Sequence, residues 1–289
     1  MRPSVTSLHG ALCLGLLVAA AFAAPLRAEP AGRVVTIGGS VTEIAVALGA
    51  ADRLVARDST SNWPESVLAL PDVGYIRALS PEGVLSVAPD LILSEPGAGP
   101  AEAVGVLTAA GVPFVTVPGA PTPEGVLAKI DGVAEALGLP EAGARLHAEV
   151  AAGLETARSR AAGVAQPKKV LFVLALQGGR VMAGGEGSSA EGIIALAGGV
   201  NAATGFQGYK QMTDEAVIAA APDVILMMDR TGGPEVTAAD VQSHPALAAT
   251  PAGAAGQVIR MDGMLLLGFG PRTPEAAAAL YDALYPAGG

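Results

Sequence analysis

The sequence alternates between short apolar runs and longer segments in which apolar residues recur every three or four positions. Runs such as residues 91–93 (LIL) and 224–226 (VIL) contain no polar residue, which is typical of strands that are covered on both faces. The longer segments have the spacing of helices that pack on one face. Strands and helices therefore alternate along the chain, and this order predicts an α/β fold with mostly parallel sheets.

One helix-and-strand unit occurs twice. Residues 79–93 align without a gap with residues 212–226, so the two copies are 133 positions apart. In each copy a Ser or Thr precedes an acidic first helical turn, and an Ala-Pro pair, at residues 88–89 or 221–222, ends the helix. A repeat of this length exceeds that of solenoid units. It predicts two similar lobes with a ligand cleft between them.

The predicted elements divide the chain into two lobes and a link, preceded by a leader. We assign residues 33–139 to an N-terminal α/β lobe, residues 140–163 to one long linking helix and residues 168–289 to a C-terminal α/β lobe. Residues 1–28 combine a basic residue, an apolar run and a small-residue cleavage site, which predicts a secretory signal peptide and an exported mature protein. An uncleaved N-terminal anchor is the alternative. We expect a monomer with no membrane span in the mature chain.

The composition argues against several classes of function. Acidic residues outnumber basic ones by 27 to 17, which disfavours binding to nucleic acid. Cys13 is the only cysteine and falls within the predicted signal peptide, so the mature chain would have no disulfide and no thiolate metal site. An exported hydrolase that uses Ser188 or Ser189 is a distant alternative, since no Gly-x-Ser-x-Gly motif surrounds these residues. We therefore expect that the chain is not an enzyme.

Two features allow more than one interpretation. The glycine turn at residues 38–40 joins the first strand to a helix, and it predicts either a phosphate cradle or a tight connection. The tight connection is favoured, because the sequence has neither a Walker lysine nor the full dinucleotide glycine spacing here. Trp63, the only tryptophan, either lines a ligand site or covers the edge of the core.

The order of elements resembles that of periplasmic solute-binding proteins of ABC importers whose two lobes are joined by one rigid helix. Within that class, residues 72–80 (DVGYIRALS) resemble the segment that carries the iron-coordinating tyrosine of haem-binding members. Residues 176–179 (LQGG) and 205–210 (GFQGYK) are also similar to that subfamily. The resemblance implies that the chain captures haem as its transported ligand and delivers it to an inner-membrane ABC permease. Cobalamin and ferric siderophores, which the same scaffold serves, are the alternative ligands.

The resemblance also implies a set of site residues. Tyr75 matches the iron ligand, and a phenolate is a hard, anionic oxygen donor that suits ferric haem iron. If the segment is extended, Arg77 shares a face with Tyr75 and contacts the phenolate or a haem propionate. Tyr209 and Arg230 are expected to contact the haem or its propionates from the second lobe. The alternative is an ordinary loop tyrosine for Tyr75 and a solvated loop arginine for Arg230.

Two further points follow from the resemblance. Glu82 and Glu215 occupy matching helix starts in the repeat and are expected to dock on arginines of the permease; the alternative is that both only favour a helix N-terminus. Some haem-binding members use a histidine as an additional ligand, and neither His147 nor His244 has an obvious match to it. The number of haems, the sixth iron ligand, the affinity and the extent of lobe closure are left open by the sequence.

Overall fold

The computed structural model describes residues 31–229 and 236–286. Ten strands lie within these residues: β1 (Val34–Ile37), β2 (Leu54–Arg57), β3 (Leu91–Ser94), β4 (Phe114–Thr116), β5 (Lys169–Gln177), β6 (Arg180–Gly184), β7 (Val200–Asn201), β8 (Tyr209–Met212), β9 (Val224–Asp229) and β10 (Val258–Asp262). The α-helices of the same residues are α1 (Gly39–Ala47), α2 (Pro81–Ser86), α3 (Ala101–Ala109), α4 (Pro123–Leu137), α5 (Pro140–Ala162), α6 (Ser189–Leu196), α7 (Asp214–Ala220), α8 (Ala238–Ser243), α9 (Pro245–Ala248), α10 (Pro251–Ala254), α11 (Gly263–Leu267) and α12 (Thr273–Leu284).

The strands form two sheets, and helices pack against both, which confirms the predicted α/β fold. The first sheet has the order β2-β1-β3-β4, and all of its pairs are parallel. The second sheet has the order β10-β9-β5-β6-β8, with β7 also paired to β5. Its pairs β10–β9, β9–β5 and β5–β7 are parallel, while β5–β6 and β6–β8 are antiparallel. We call the part that builds the first sheet the first lobe and the part that builds the second sheet the second lobe.

The sequence repeat is also a repeat of backbone structure. The N-cap side chains of α2 and α7, Ser80 and Thr213, each accept a hydrogen bond of 3.2 Å from the amide three residues later. At the other end of the two helices, Ala88 has a φ of 45° and Ala221 a φ of 43°. Both alanines precede a proline, and both leave the right-handed helical region as the sequence predicts. They adopt the left-handed region rather than the extended one that is usual before proline.

The aspartate that follows each of these turns fixes the start of a neighbouring strand. Asp90 accepts the amide of Arg33 at 3.0 Å, and Asp223 accepts the amide of Lys169 at 2.8 Å. Arg33 directly precedes β1, and Lys169 is the first residue of β5. An aspartate at the equivalent position of each copy thus aligns the strand pair β1–β3 in the first sheet and the strand pair β5–β9 in the second.

Helix α5 is the longest described helix, with 23 residues. Its apolar stripe buries Val150, Leu154 and Ala157. It packs against α4 of the first lobe and against α12 of the second. The division of the chain at residues 140–163 stays a prediction. None of the helices within residues 31–229 and 236–286 is both long and apolar enough to cross a membrane.

Two local predictions are wrong. Residues 264–270 have the composition of an apolar loop that ends in glycine, but they begin with α11, because Asp262 accepts the amide of Leu265 at 2.7 Å and caps a helix. Helix α1 is expected to carry a cap at Ser40 or Thr42, but it begins at Gly39, and its N-cap residue Gly38 provides no side-chain cap. The Ser40 hydroxyl instead bonds to Glu95, and the Thr42 hydroxyl to Thr36 and Ser61.

Candidate ligand-binding site

Tyr75 lies on a tight turn in the connection between β2 and α2. The amide of Ala78 donates to the carbonyl of Tyr75 at 2.7 Å and closes the turn. Just before it, Gly74 has a φ of 100°, and its amide donates to Asp72 Oδ1 at 2.8 Å. The assumption of an extended segment is therefore wrong. Tyr75 and Arg77 are both exposed, but they stand on a turn rather than on one face of a strand.

The surrounding apolar residues hold this turn in place. Three apolar side chains of this segment are buried: Val73 before Tyr75, Ile76 within the turn and Leu79 after it. Two backbone hydrogen bonds join the same segment to Gly99. The Gly99 amide donates to the Ile76 carbonyl at 2.9 Å, and the Leu79 amide donates to the Gly99 carbonyl at 2.8 Å. The side chain of Tyr75 is 45% exposed. A large ring is thus presented to solvent from a fixed backbone.

Tyr209 begins β8 in the second lobe, and its surroundings differ from those of Tyr75. Its ring meets Phe172 edge to face, with 6.2 Å between the ring centroids. The neighbouring strand leaves room for the ring at Gly184, where a Cβ would lie 3.2 Å from a Tyr209 ring carbon. The hydroxyl faces the start of α6, at residues 188–190. Tyr209 is therefore positioned by its ring, and the residue is 36% exposed.

The electrostatics of Tyr209 connect the two lobes. Burial raises the pKa of Tyr209, while hydrogen bonds from Ala190, Ser189 and Ser188 and the charge of Arg77 act in the opposite direction. Arg77 belongs to the first-lobe turn of Tyr75, and its positive charge is the smallest of these influences on Tyr209. Of the predicted site residues, Arg77 and Tyr209 thus interact through charge, from different lobes.

Arg230 lies outside the described residues, and its predicted contact with a propionate stays a prediction. It directly follows Asp229, the last residue of β9. Asp229 is itself paired with Arg260 of the neighbouring strand, at 2.8 Å from Nε. Position 230 therefore follows the carboxyl end of a parallel strand, where open α/β sheets bind their ligands.

Both histidines of the described chain have structural partners. His244 is 93% buried, and its Nε2 lies 2.7 Å from the carbonyl of Gly179 while Nδ1 caps α9 at the amide of Leu247. His147 lies on α5, where its Nδ1 is 2.9 Å from Asp131 of α4. Both rings are thus engaged by hydrogen-bonding groups of the protein. Among the described residues, no group of three or more His, Cys, Asp or Glu is arranged to hold a metal ion.

The glycine turn at the start of α1 is filled by a carboxylate of the protein. Glu95, which follows β3, accepts the amide of Ser40 at 3.1 Å and also bonds to its hydroxyl. A Cβ at Gly38 would meet the Glu95 side chain at 2.6 Å, so this close approach requires glycine. A phosphate at this helix N-terminus would have to displace Glu95. The turn therefore serves as a tight connection, the favoured interpretation of the sequence.

Trp63 lies on the flank of the molecule rather than beside Tyr75. Its ring is 48% exposed and is covered on one face by the guanidinium of Arg272, 4.6 Å from the ring centroid. Both side chains line a cavity of about 280 Å³ together with residues of α1 and α5. None of Tyr75, Arg77 and Tyr209 lines this cavity. The stacking on Arg272 explains the exposed ring without a ligand.

Glu82 and Glu215 have the same local geometry in the two lobes. Each is exposed in the first turn of its helix, α2 or α7. The pKa of each carboxyl is lowered, first by its own backbone amide and then by the hydroxyl of the N-cap residue, Ser80 or Thr213. Both carboxylates are therefore ionised at neutral pH and accessible.

Several residues that shape the region between the lobes are not evident from the sequence. Lys129 of α4 is 97% buried and contacts the second lobe, and Arg272 contacts α1. Their partners in the opposite lobe lie 140 and 229 positions away in the chain, which no local pattern reveals. The serines at the start of α6 are different, because their place after a glycine loop and before an apolar segment is a recognisable helix-capping signal.

Comparison with solved structures identifies proteins with the same architecture. The periplasmic heme-binding protein BhuT in complex with two hemes is 43% identical, with a TM-score of 0.81 over 87% of this chain and 97% of that chain. The periplasmic heme-binding protein RhuT from Roseiflexus sp. RS-1, in apo form, is 39% identical, with a TM-score of 0.79 over 87% of this chain and 98% of that chain. These matches confirm the predicted arrangement of two lobes.

Sequence comparison agrees with the structural matches. A vitamin B12-binding protein of Yersinia pestis (strain Pestoides F) is 30% identical over 204 residues, which are 70% of this chain and 71% of the relative. The sequence model described as periplasmic binding protein matches residues 34–265, which include both sheets and α5. These matches confirm the expectation of a ligand-binding protein rather than an enzyme. The chain belongs to the periplasmic binding protein family.

Proposed function

We propose that this chain is a periplasmic haem-binding protein that captures haem and delivers it to an ABC importer of the inner membrane. One observation carries the proposal: two heme-binding proteins, BhuT and RhuT, are 43% and 39% identical to the chain over 87% of its length. The exposed tyrosine on the first-lobe turn supplies a donor for the iron of such a ligand. Haem is here the cargo of the protein.

Tyr75 is the residue that we propose as the iron ligand. Its ring is 45% exposed, so an incoming haem reaches the phenol oxygen without unfolding the turn. A phenolate is a hard, anionic oxygen donor, and the charge of ferric iron favours this form of the ligand. Arg77 lies two residues along the same turn and is also exposed, which suits a contact with the phenolate or with a propionate. Tyr209 and Arg230 are proposed as further contacts from the second lobe.

Delivery to the permease is proposed to use Glu82 and Glu215. The repeat gives each lobe one such carboxylate, exposed, ionised and set in the first turn of an equivalent helix. A matched pair of this kind suits recognition by two arginines on a partner with two similar halves. The structural alternative, stabilisation of two helix N-termini, does not exclude docking, because an exposed carboxylate can do both.

The proposed organisation of the mature protein follows the sequence prediction. We propose that residues 33–139 and 168–289 form the lobes and that residues 140–163 link them. Support comes from α5, which packs against helices of both lobes. Removal of residues 1–28 as a signal peptide would release the chain into the periplasm, in keeping with its family.

The decisive experiment is a titration of the ligand-free mature chain with hemin, followed by absorption spectroscopy. We expect a Soret band that saturates at a defined stoichiometry. Tyr75→Phe removes one oxygen from an exposed ring, and we expect it to abolish the tyrosinate spectrum and to weaken binding at least about tenfold. Tyr281→Phe is the matched control, because this ring packs against Tyr285 and Arg160. An unchanged spectrum in Tyr75→Phe would refute the assignment of the iron ligand.

Cobalamin is the second candidate ligand, because a vitamin B12-binding protein is 30% identical over 70% of the chain. Cobalamin brings its own equatorial ring and cobalt, and its capture would not require the oxygen of Tyr75. Titration with cyanocobalamin, under the conditions of the hemin experiment, distinguishes the two ligands. Saturable cobalamin binding that Tyr75→Phe leaves intact, together with no Soret band from hemin, would replace haem by cobalamin in the proposal.

A further inference from the structure

The buried ammonium group of Lys129 forms hydrogen bonds with both lobes. Lys129 is 97% buried on α4, and its Nζ donates to Ser40 Oγ at 2.7 Å within the first lobe. It also donates to the carbonyls of Phe269 at 3.1 Å and Gly268 at 3.3 Å, which belong to the second lobe. Burial lowers the pKa of Lys129, and the charge of Glu95, 3.9 Å away, opposes this effect. The ammonium therefore depends on acceptors from both lobes.

An ion pair also joins the two lobes nearby. Arg272 of the second lobe donates to both carboxylate oxygens of Glu43 on α1, with distances of 3.0 Å and 2.6 Å. Glu43 is 93% buried, and burial raises its pKa against the effect of Arg272. The other face of the guanidinium covers the ring of Trp63. A fork-like pair of this type fixes both the distance and the orientation of its partners.

The backbones of the two lobes approach each other closely at the same place. A Cβ at Gly270 would lie 3.0 Å from Ser40 Cβ, and one at Gly192 would lie 2.4 Å from the carbonyl oxygen of Pro121. Residues 192 and 270 belong to the second lobe, and residues 40 and 121 to the first. Because residues 192 and 270 have no side chain, the second lobe packs directly against the first at these two positions.

We infer that Lys129 and Arg272 form an interlobe lock that holds the two walls of the cleft at a fixed separation before any ligand binds. Moving the lobes apart would withdraw the Phe269 and Gly268 carbonyls from a buried ammonium and Arg272 from a buried carboxylate. The first movement leaves a buried ammonium without two of its acceptors, and the second leaves a buried carboxylate without its ion-pair partner, so each is opposed whatever the stiffness of α5. Both residues act through the position of the lobes and are positioning residues rather than ligand contacts.

The lock can be tested by measuring the distance between the lobes in the ligand-free mature chain. Since Cys13 is the only cysteine and lies in the leader, Val106→Cys and Ile218→Cys give two specific sites for spin labels. Val106 on α3 and Ile218 on α7 are 52% and 47% exposed. Pulsed electron paramagnetic resonance should give a narrow distance distribution in the parent. In Lys129→Met we expect it to broaden or to shift by about 2 Å or more, the scale of an interdomain rearrangement.

A matched control separates the lock from helix packing in general. Arg158→Met breaks an exposed ion pair between α5 and Glu124 of α4, and we expect it to leave the distance distribution unchanged. Arg272→Lys keeps the positive charge but cannot donate to both carboxylate oxygens of Glu43 in the same geometry. It tests the ion pair with Glu43 if Lys129→Met does not fold. The inference is refuted if folded Lys129→Met, or folded Arg272→Lys in its place, has the distribution of the parent. The measurement needs no ligand, so its outcome is independent of the hemin titration.

Discussion

Ala88 and Ala221 occupy equivalent ends of α2 and α7 with φ values of 45° and 43°, and we predict that glycine at either position stabilises the protein. An L-residue in the left-handed region loses about 1–2 kcal/mol to contact between its Cβ and the backbone. Replacement by glycine removes this loss, but it adds about 0.5–1 kcal/mol of chain entropy to the unfolded state. The expected net gain is about 0.5–1 kcal/mol in the free energy of unfolding for each substitution.

Burial distinguishes the two sites. Ala88 is exposed, so its Cβ contributes no packing that the glycine variant would lose, whereas Ala221 is half-buried and should gain less. The two positions lie in different lobes and share no partner, so the double variant should approach the sum of the single gains. Urea denaturation of the ligand-free mature chain, monitored by circular dichroism, measures these differences at an unchanged m-value.

Ala110→Gly is the matched control. Ala110 is an exposed C-cap residue of α3, but its φ is −70°, in the right-handed region. The same chemical change there adds only the entropic cost, and we expect a loss of about 0.5–1 kcal/mol. The argument from backbone strain fails if Ala88→Gly and Ala221→Gly lower the free energy of unfolding as much as Ala110→Gly does.

Two further predictions concern the electrostatics of the site and of the docking surface. Burial raises the pKa of Tyr209, so the folded chain keeps the phenol proton at pH values where the unfolded chain loses it. The free energy of unfolding should therefore fall as the pH rises from about 10 through the raised pKa. Urea denaturation at a series of pH values should show a smaller fall for Tyr209→Phe. The double variant Glu82→Arg/Glu215→Arg should reduce haem uptake by cells at least about tenfold without changing hemin affinity. The control is Glu102→Arg/Glu141→Arg, which replaces two exposed acids that also lie in first helical turns but outside the repeat. It should change neither uptake nor affinity. Normal uptake by the first pair would contradict docking through these residues.

Local sequence signals predicted most of the fold. The repeat is the clearest case, because a cap residue, an acidic first turn and an Ala-Pro stop act within a few residues of one another and need no distant partner. The same holds for α4: the Thr-Pro-Glu sequence at residues 122–124 predicts its start and Gly138 its end, and the structure has Thr122 as the N-cap and Gly138 as the C-cap. Strand β8 was missed as a strand, since its residues YKQM are mostly exposed and lack an apolar run.

The region between the lobes could not be predicted in the same way. Lys129 lies in an apolar helix and would ordinarily be taken for a solvated side chain, yet it is 97% buried. What keeps it there are carbonyls 139 and 140 positions away, presented by a segment that the sequence predicts as a loop. Likewise, Glu43 receives its partner Arg272 from 229 positions away. Such contacts depend on how two lobes meet, and single-sequence patterns carry no information about that.

The two candidate tyrosines show how a symmetric scaffold holds an asymmetric site. Tyr75 and Tyr209 are 134 positions apart, one residue out of the 133-residue register of the repeat. Tyr75 stands on a turn with an exposed ring, while Tyr209 begins a strand and directs its hydroxyl to the start of α6. An iron ligand must present an oxygen that an incoming haem can reach. Of the two, Tyr75 meets this requirement without rearrangement, which is why the proposal places the iron bond on the first lobe and assigns Tyr209 a supporting contact.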